Sequence, residues 1–275
     1  YEITCRDWSS DVCFPIWSGT RMRVISESIN KTMLEIAGRP IIDYWLTQFA
    51  EQRVRRVCLC AGHQAASVAD YVKSGEKWGI EIVQSIERTP LGTGAAFARI
   101  HPEAGKNYLV LFGDIIGCVD LRWMRDQHIE AGRRASRFIT DDGFCVGWMI
   151  DGGLFAGVPE QQALDIETHV GSSRLNISTI SVPGAFADIN TPDDLINSQR
   201  RALIGELLPL SVNPGTEPGV HIGKNVEIQD GVRLIAPVYL GDNVSIMKNA
   251  VIGPNVGISS RCVIERDARI SNSTV

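Results

Sequence analysis

Residues 222–270 read IGKNVEIQDGVRLIAPVYLGDNVSIMKNAVIGPNVGISSRCVIERDARI. Every sixth position from Ile222 is isoleucine or leucine: Ile222, Ile228, Leu234, Leu240, Ile246, Ile252, Ile258, Ile264 and Ile270. In a chain that is 44% apolar, an unbroken apolar row of that length arises by chance roughly once in a thousand trials. A second row begins four residues further on: Val226, Val232, Val238, Val244, Ala250, Val256, Cys262 and Ala268, all small or β-branched. A β-meander alternates with period two. A period of six means one short strand and one turn per unit, three units to a triangular coil. The large residues then fill the prism, and the smaller row faces in near a corner. Gly223, Gly231, Gly241, Gly253 and Asn225, Asn243, Asn249, Asn255 stand between, where turns need relaxed φ. The expectation is a left-handed parallel β-helix over 219–275, about three coils long, which either continues in a longer natural protein or has its open end buried in an oligomer. An open solenoid end wants a cap or a partner, so homo-oligomerisation through this part is expected.

Upstream the pattern changes. Residues 41–52 read as a helix with Ile41, Ile42, Trp45, Leu46 and Phe49 on one side. Residues 54–60 read as a strand, 64–72 as a helix, 80–84 as a strand, and 94–100 open a helix. Residues 108–112 form a continuous apolar strand ending in Gly113-Asp114, and 121–131 are helical. Strands alternating with helices imply a Rossmann-like, mostly parallel sheet with helices on both faces. In such sheets ligands sit at the carboxyl ends of strands, so the polar residues just after strands are the ones to weigh. The expected layout is an α/β domain over 14–205, a linker over 206–218 and the repeat over 219–275. Residues 1–13 (YEITCRDWSSDVC) carry no periodic pattern into the next segment, and their second half resembles a translated sequencing-library adapter. They are set aside as a non-native scar.

The composition narrows the function. A net charge of −5 argues against broad binding to nucleic acid or anionic membranes, and the longest apolar runs are too short to cross a bilayer. Seven scattered cysteines without a C-x-x-C pair favour reduced thiols in a cytoplasmic protein over a disulfide framework or zinc site. The dinucleotide fingerprint and the Walker A lysine motif are both absent, and the five histidines are scattered.

Six short segments, making four motifs in order, carry a resemblance. Ser18-Gly19-Thr20-Arg21 is followed by Lys31-Thr32-Met33-Leu34 and Gly38-Arg39-Pro40, then Pro90-Leu91-Gly92-Thr93, then Phe112-Gly113-Asp114, then Ala187-Asp188-Ile189-Asn190-Thr191-Pro192. This series resembles the sugar-1-phosphate nucleotidyltransferases (NDP-sugar pyrophosphorylases), many of which append a β-helix. The resemblance implies an enzyme joining a nucleoside triphosphate to a sugar 1-phosphate, with Mg²⁺. It implies that Ser18, Gly19 and Thr20 cradle phosphates while Arg21 holds the β- and γ-phosphates that leave. Lys31 would neutralise the α-phosphate or the sugar phosphate, Gly92 and Thr93 would contact the nucleoside, and Asp114 and Asp188 would share the metal. Ile150-Asp151-Gly152-Gly153 resembles the family's Asn-Ala-Gly turn, which puts Gly152 and Gly153 at the sugar.

The residue chemistry agrees with these roles. Backbone N–H groups beside small residues, together with a forked guanidinium, suit phosphate oxygens. A carboxylate just after a buried strand suits a hard cation that keeps some of its waters. The chain departs from the family in two places. Phe14-Pro15-Ile16-Trp17 stands where small residues are expected, and the family's Glu-Lys-Pro segment is missing before residue 150. Two further functions therefore stand beside an active transferase. One is a catalytically weakened relative that binds nucleotide or assembles with a partner. The other is a β-helix acyltransferase, for which His221 is the base available in the repeat.

Overall fold

The computed structural model describes residues 12–16, 29–62, 64–87, 91–159, 162–172, 177–208 and 217–275. The chain divides into two compact units, one of residues 1–33 and 42–184, the other of 34–41 and 185–275. The division falls at 184/185, and 34–41 groups with 185–275.

The first unit is built on seven strands: β1 (Val12–Ile16), β4 (Arg56–Ala61), β5 (Glu81–Ile86), β6 (Asn107–Leu111), β8 (Ala135–Ile139), β9 (Cys145–Asp151) and β10 (Ser178–Ser181). Their order across the sheet is β10-β8-β9-β6-β1-β4-β5. β1 runs parallel to β4 and β6, β4 to β5, and β8 to β10. Only β9, among the pairings of this sheet, runs antiparallel to its neighbours β6 and β8. Val12 and Cys13, set aside as scar, are fully buried in the central strand β1, in register with Val57 and Cys58 of β4. A central strand of a sheet covered by helices on both faces buries both its sides, and these two apolar side chains meet that demand.

Successive residues of β1 face opposite sides, as the pleat requires. Phe14 packs edge-on against Trp45 and Phe49 of α1 (Ile41–Glu51), with ring centroids 5.7 and 6.0 Å away. Cys13 faces the other way, into a core with Phe97 of α3 (Thr93–Ala98), Trp148 of β9, and Ile166 and Val170 of α5 (Ile166–Ser172). The helix after β7 (Ile115–Gly117) is α4 (Leu121–Ala131), capped by Asp120, which accepts from the Trp123 N–H at 3.0 Å. The short helix α2 (Ala65–Val72) comes after β4. Helices therefore cover both faces, as the alternation of elements implies. Among the described residues no helix is long and apolar enough to cross a membrane.

In the second unit, a hairpin of β2 (Glu35–Ile36) and β3 (Arg39–Pro40), the strand β11 (Phe186–Asp188) and α6 (Pro192–Leu203) precede ten short strands: β12 (Val220–Ile222), β13 (Glu227–Ile228), β14 (Arg233–Leu234), β15 (Val238–Leu240), β16 (Ser245–Ile246), β17 (Val251–Ile252), β18 (Val256–Ile258), β19 (Val263–Ile264), β20 (Arg269–Ile270) and β21 (Ser273–Thr274). Helix α6 starts with Pro192 inside a reciprocal Thr191/Asp194 capping box, which satisfies two of its free N–H groups. The strands from Val220 onward visit three parallel sheets in turn: β12-β15-β18-β21, β13-β16-β19 and β14-β17-β20. The apolar row stacks on itself 18 residues on, three six-residue units per circuit. Ile222 pairs with Leu240 and then Ile258, Ile228 with Ile246 and then Ile264, and Leu234 with Ile252 and then Ile270. Asn225, Asn243, Asn249 and Asn255 take left-handed φ between 54° and 61°, a conformation asparagine tolerates better than other L-residues. Their side chains form rungs such as Asn225 Nδ2 to Asn243 Oδ1 at 3.3 Å. Gln199 of α6 explains why 34–41 belongs to this unit. Its Oε1 accepts the Ala37 N–H at 2.9 Å, while its amide lies against Gly257 of β18, where a Cβ would come within 2.7 Å.

Candidate functional site

The parallel strands β1, β4, β5 and β6 define one sheet edge by their carboxyl ends, at residues 16, 61, 86 and 111. Asp114 sits just beyond β6 on this edge. Lys31 Nζ lies 3.3 Å from Asp114 Oδ2, with side-chain exposures of 5% and 21%. A lysine buried to that degree needs a compensating anion, since an isolated charge in the interior is costly. Two features hold the pair in place. Gly113 lets the chain pass close to β1: a Cβ there would lie 3.0 Å from both Phe14 Cε1 and Thr32 Cγ2, and 3.2 Å from the Pro15 carbonyl. Asn30, fully buried, accepts the Thr32 N–H at 3.0 Å and its hydroxyl at 2.9 Å, forming the turn that delivers Lys31. Asn30 was not singled out in the sequence, although an asparagine placed to cap a short turn was the available signal.

The Gly92-Thr93 turn, expected at the nucleoside, is hydrogen-bonded to residues 164–166. Gly92 has φ 105°, and a Cβ on it would lie 2.4 Å from the Leu164 carbonyl. That carbonyl accepts the N–H groups of Gly94 and Ala95 at 2.8 and 3.1 Å, and the Leu164 N–H returns to Leu91 O at 2.7 Å. Thr93 Oγ1 accepts the Ile166 N–H at 3.0 Å and lies 3.4 Å from Asp165 Oδ1. The start of α3 is thus closed by residues 164–166. A group the sequence reading missed is Glu87, placed just after β5 on the same edge. It is 8% exposed, accepts the Leu91 N–H, and lies 4.0 Å from Arg99 Nε. Burial raises its pKa, against the opposing pull of Arg99 and Leu91. Its Oε1 has no hydrogen-bond partner among the described residues. A carboxylate ending a strand just before Pro90-Leu91-Gly92-Thr93 was the signal.

Gly152 and Gly153, expected at the sugar, are not on this edge. Because β9 runs antiparallel to β6, Asp151 pairs with Asn107 at the strand's opening end. The length of β6, about 15 Å, separates the turn from Asp114. Gly152 packs there on the Glu103 carbonyl, 2.4 Å from where its Cβ would be. Asp151 accepts from Gly153 N, Gly105 N and Arg134 Nε at 2.8 to 2.9 Å. Asp188 closes β11 in the second unit, and its Oδ2 accepts from Asn190 Nδ2 at 2.5 Å. Ser18, Gly19, Thr20 and Arg21 lie outside the described residues.

Among the described residues no group of three or more His, Cys, Asp or Glu side chains gathers into a metal cage. The part-exposed carboxylate of Asp114 instead offers a single hard oxygen ligand at the edge. That donor set fits Mg²⁺, which binds through one or two carboxylates and completes its octahedron with water and phosphate oxygens.

Residues 18–143 match the family model described as nucleotidyl transferase. A glucose-1-phosphate thymidylyltransferase of Streptomyces antibioticus is 31% identical over 150 residues, covering 52% of this chain and 42% of that protein. A D-glycero-alpha-D-manno-heptose 1-phosphate guanylyltransferase of Aneurinibacillus thermoaerophilus is 32% identical over 114 residues, covering 41% of this chain and 49% of that one. The chain therefore spans less than half the length of either relative. The crystal structure of HddC from Yersinia pseudotuberculosis complexed with GMP-PN superposes with a TM-score of 0.57 at 20% identity, over 70% of this chain and 99% of that one. At that identity the likeness is one of fold.

Proposed function

We propose, from the premise that this chain carries a domain of the nucleotidyl transferase family over residues 18–143, that it joins a nucleoside triphosphate to a sugar 1-phosphate in the cytoplasm. An oxygen of the sugar phosphate attacks the α-phosphorus in line. One P–O bond forms, the bond to the β-phosphate bridging oxygen breaks, and pyrophosphate leaves with the electron pair. The observation that carries this reading is the buried Lys31–Asp114 pair at the carboxyl edge of a parallel sheet. Lys31 offsets the negative charge gathering on the phosphates, a preorganised cation in a site that excludes most water. Mg²⁺, held through Asp114, would supply further charge neutralisation and orient the triphosphate. Arg21 and the backbone of Ser18, Gly19 and Thr20 take the departing phosphates. Gly92 and Thr93 are assigned to the nucleoside, with residues 164–166 hydrogen-bonded to the same turn.

The stacked strands from Val220 to the last residue are read as a left-handed parallel β-helix, a surface through which copies of the chain assemble. His221 Nε2 lies 3.2 Å from the Leu203 carbonyl, while its buried Nδ1 has no hydrogen-bond partner among the described residues. A catalytically weakened relative is the competing reading, and it is favoured by one observation: the Gly152-Gly153 turn lies at the opposite end of β6 from Asp114. Pyrophosphate release, measured for a panel of nucleoside triphosphates against hexose 1-phosphates with Mg²⁺, separates the two. Release with at least one pair, abolished by Asp114→Asn, supports the transferase. No release with any pair supports the weakened relative.

A further inference from the structure

Trp45 and Gln48 of α1, and Gln52 just beyond its last residue, follow one another at spacings of three and four residues. All three reach the segment that leaves Asp114. Trp45 Nε1 donates to Ile115 O at 2.7 Å. Gln48 Nε2 donates to Gly117 O at 3.0 Å, and Gln48 Oε1 accepts the Val119 N–H at 3.1 Å. Gln52 Nε2 donates to Val119 O at 2.8 Å, and Gln52 Oε1 accepts the Leu121 N–H at 2.8 Å. The carbonyls engaged, 115, 117 and 119, are alternate ones, which is the set an extended strand presents along one edge. Each glutamine amide donates to one residue and accepts from the residue two further on, as a peptide group of a neighbouring strand does. The helix supplies a side-chain copy of a β-ladder. Three or four helical residues rise about 4.5 to 6 Å, near the roughly 6.6 Å between alternate strand residues, and flexible glutamine stems absorb the difference.

Packing alone does not require this. The contact of α1 with the sheet is already made by Trp45 and Phe49 against Phe14. What the five hydrogen bonds add is a fixed path for the chain on the far side of Asp114. On the near side Gly113 N donates to Pro15 O at 3.2 Å. Asp114 is therefore clamped between two backbone anchors, one on β1 and one on α1, while its carboxylate meets Lys31.

We infer that Trp45, Gln48 and Gln52 are positioning residues that hold the Asp114 carboxylate where it can ligate a divalent ion beside Lys31. The inference rests on the transferase reading for its kinetic consequence, and on the geometry alone for the rest. The test uses the full chain with Gln48→Met and Gln52→Met, singly and together, substitutions that keep length and volume and delete the amides. Gln52→Glu, which retains the acceptor for the Leu121 N–H, serves as the conservative control. Mn²⁺ binding is followed by water-proton relaxation, and exchange of the Val119 and Leu121 amides by mass spectrometry or NMR. In the double variant, with its melting temperature close to the parent, both amides should exchange at least about tenfold faster and Mn²⁺ should bind about five- to tenfold more weakly. Gln52→Glu should keep Leu121 protected. In the assay kcat should fall with KM for the sugar phosphate unchanged.

Unaltered exchange would show that the amides are not held as described and would overturn the proposal. Faster exchange with unaltered Mn²⁺ affinity would reduce the ladder to a structural strap and would equally overturn it. If the double variant fails to fold, the single variants are read by the same two criteria. A parent chain that binds Mn²⁺ but releases no pyrophosphate ends the transferase reading while the ladder is still decided by exchange and affinity. A parent chain that binds no Mn²⁺ overturns both.

Discussion

Gly113→Ala adds one carbon at the point where the chain leaves β6 for Asp114. That carbon would meet Phe14 Cε1 and Thr32 Cγ2 at 3.0 Å and the Pro15 carbonyl at 3.2 Å. Carbon pairs are comfortable at about 3.5 to 4.0 Å, so roughly half an ångström must be found. Phe14 cannot yield it, being fully buried between the rings of Trp45 and Phe49. Pro15 O is held by the Gly113 N–H itself. The displacement therefore falls on residue 113 and is passed to Asp114. Overpacking of this kind costs about 1–3 kcal/mol. Gly113 does not need a left-handed φ, so the stiffer unfolded chain returns about 0.4–1 kcal/mol. A net loss of about 1–2 kcal/mol corresponds to a melting temperature lower by about 3–8 °C for a unit of this size. Because a misplacement of about 1 Å can cost a hundredfold in rate, half of that should lower kcat about tenfold. Thr32→Ser supplies the control, since it deletes Cγ2 yet keeps the hydroxyl that donates to Asn30 at 2.9 Å. In a double-mutant cycle read by thermal melts and pyrophosphate release, adding Thr32→Ser to Gly113→Ala should restore part of both losses, with a coupling of about 0.5–1 kcal/mol. Purely additive effects, or a Gly113→Ala chain that melts and turns over like the parent, would refute the close-approach account of this glycine.

Other perturbations give separate checks. Ile252→Ala, at a site with no exposure, removes three buried carbons and should cost about 3–4 kcal/mol in denaturant unfolding, whereas Ile228→Ala, at the same repeat position but 43% exposed, should cost about half as much or less; equal costs would contradict the stacked-row core. His128 is buried, 2.8 Å from Ser136 Oγ, and burial lowers its pKa although Asp151 nearby pulls the other way. The unfolded chain then binds the proton more readily, so stability is complete above the ordinary histidine range near pH 6.5 and falls as pH drops through it; His128→Asn should remove that slope from melting temperatures measured between pH 7.5 and 5. Asp151 is buried enough for desolvation to raise its pKa, yet the N–H groups of Gly153 and Gly105 and the Arg134 guanidinium outweigh this and hold it low. Its contribution is present above the usual carboxylate range and lost as pH falls below it, so Asp151→Asn should cost about 1–3 kcal/mol at pH 7 and progressively less in acid melts.

Local pattern carried much of this protein. The six-residue period named the residues that stack, because each apolar side chain reports its own facing, and 18-residue pairing merely repeats that facing in the next circuit. The runs at 41–52 and 108–112 marked α1 and β6, and an acidic residue just past a buried strand marked Asp114. Gly92 and Thr93 were recognised as a special turn, but not that Leu164 and Asp165 fill it. That outcome, the reversed direction of β9 that carries Gly152 and Gly153 to the far edge, the capture of 34–41 by Gln199, and the amide ladder from α1 all join residues far apart in the chain. Periodicity records which side of an element is apolar, since burial acts on each side chain separately. Which way a strand runs and which element meets that side depend on how distant segments share the available space, and that is settled only when the whole chain has packed.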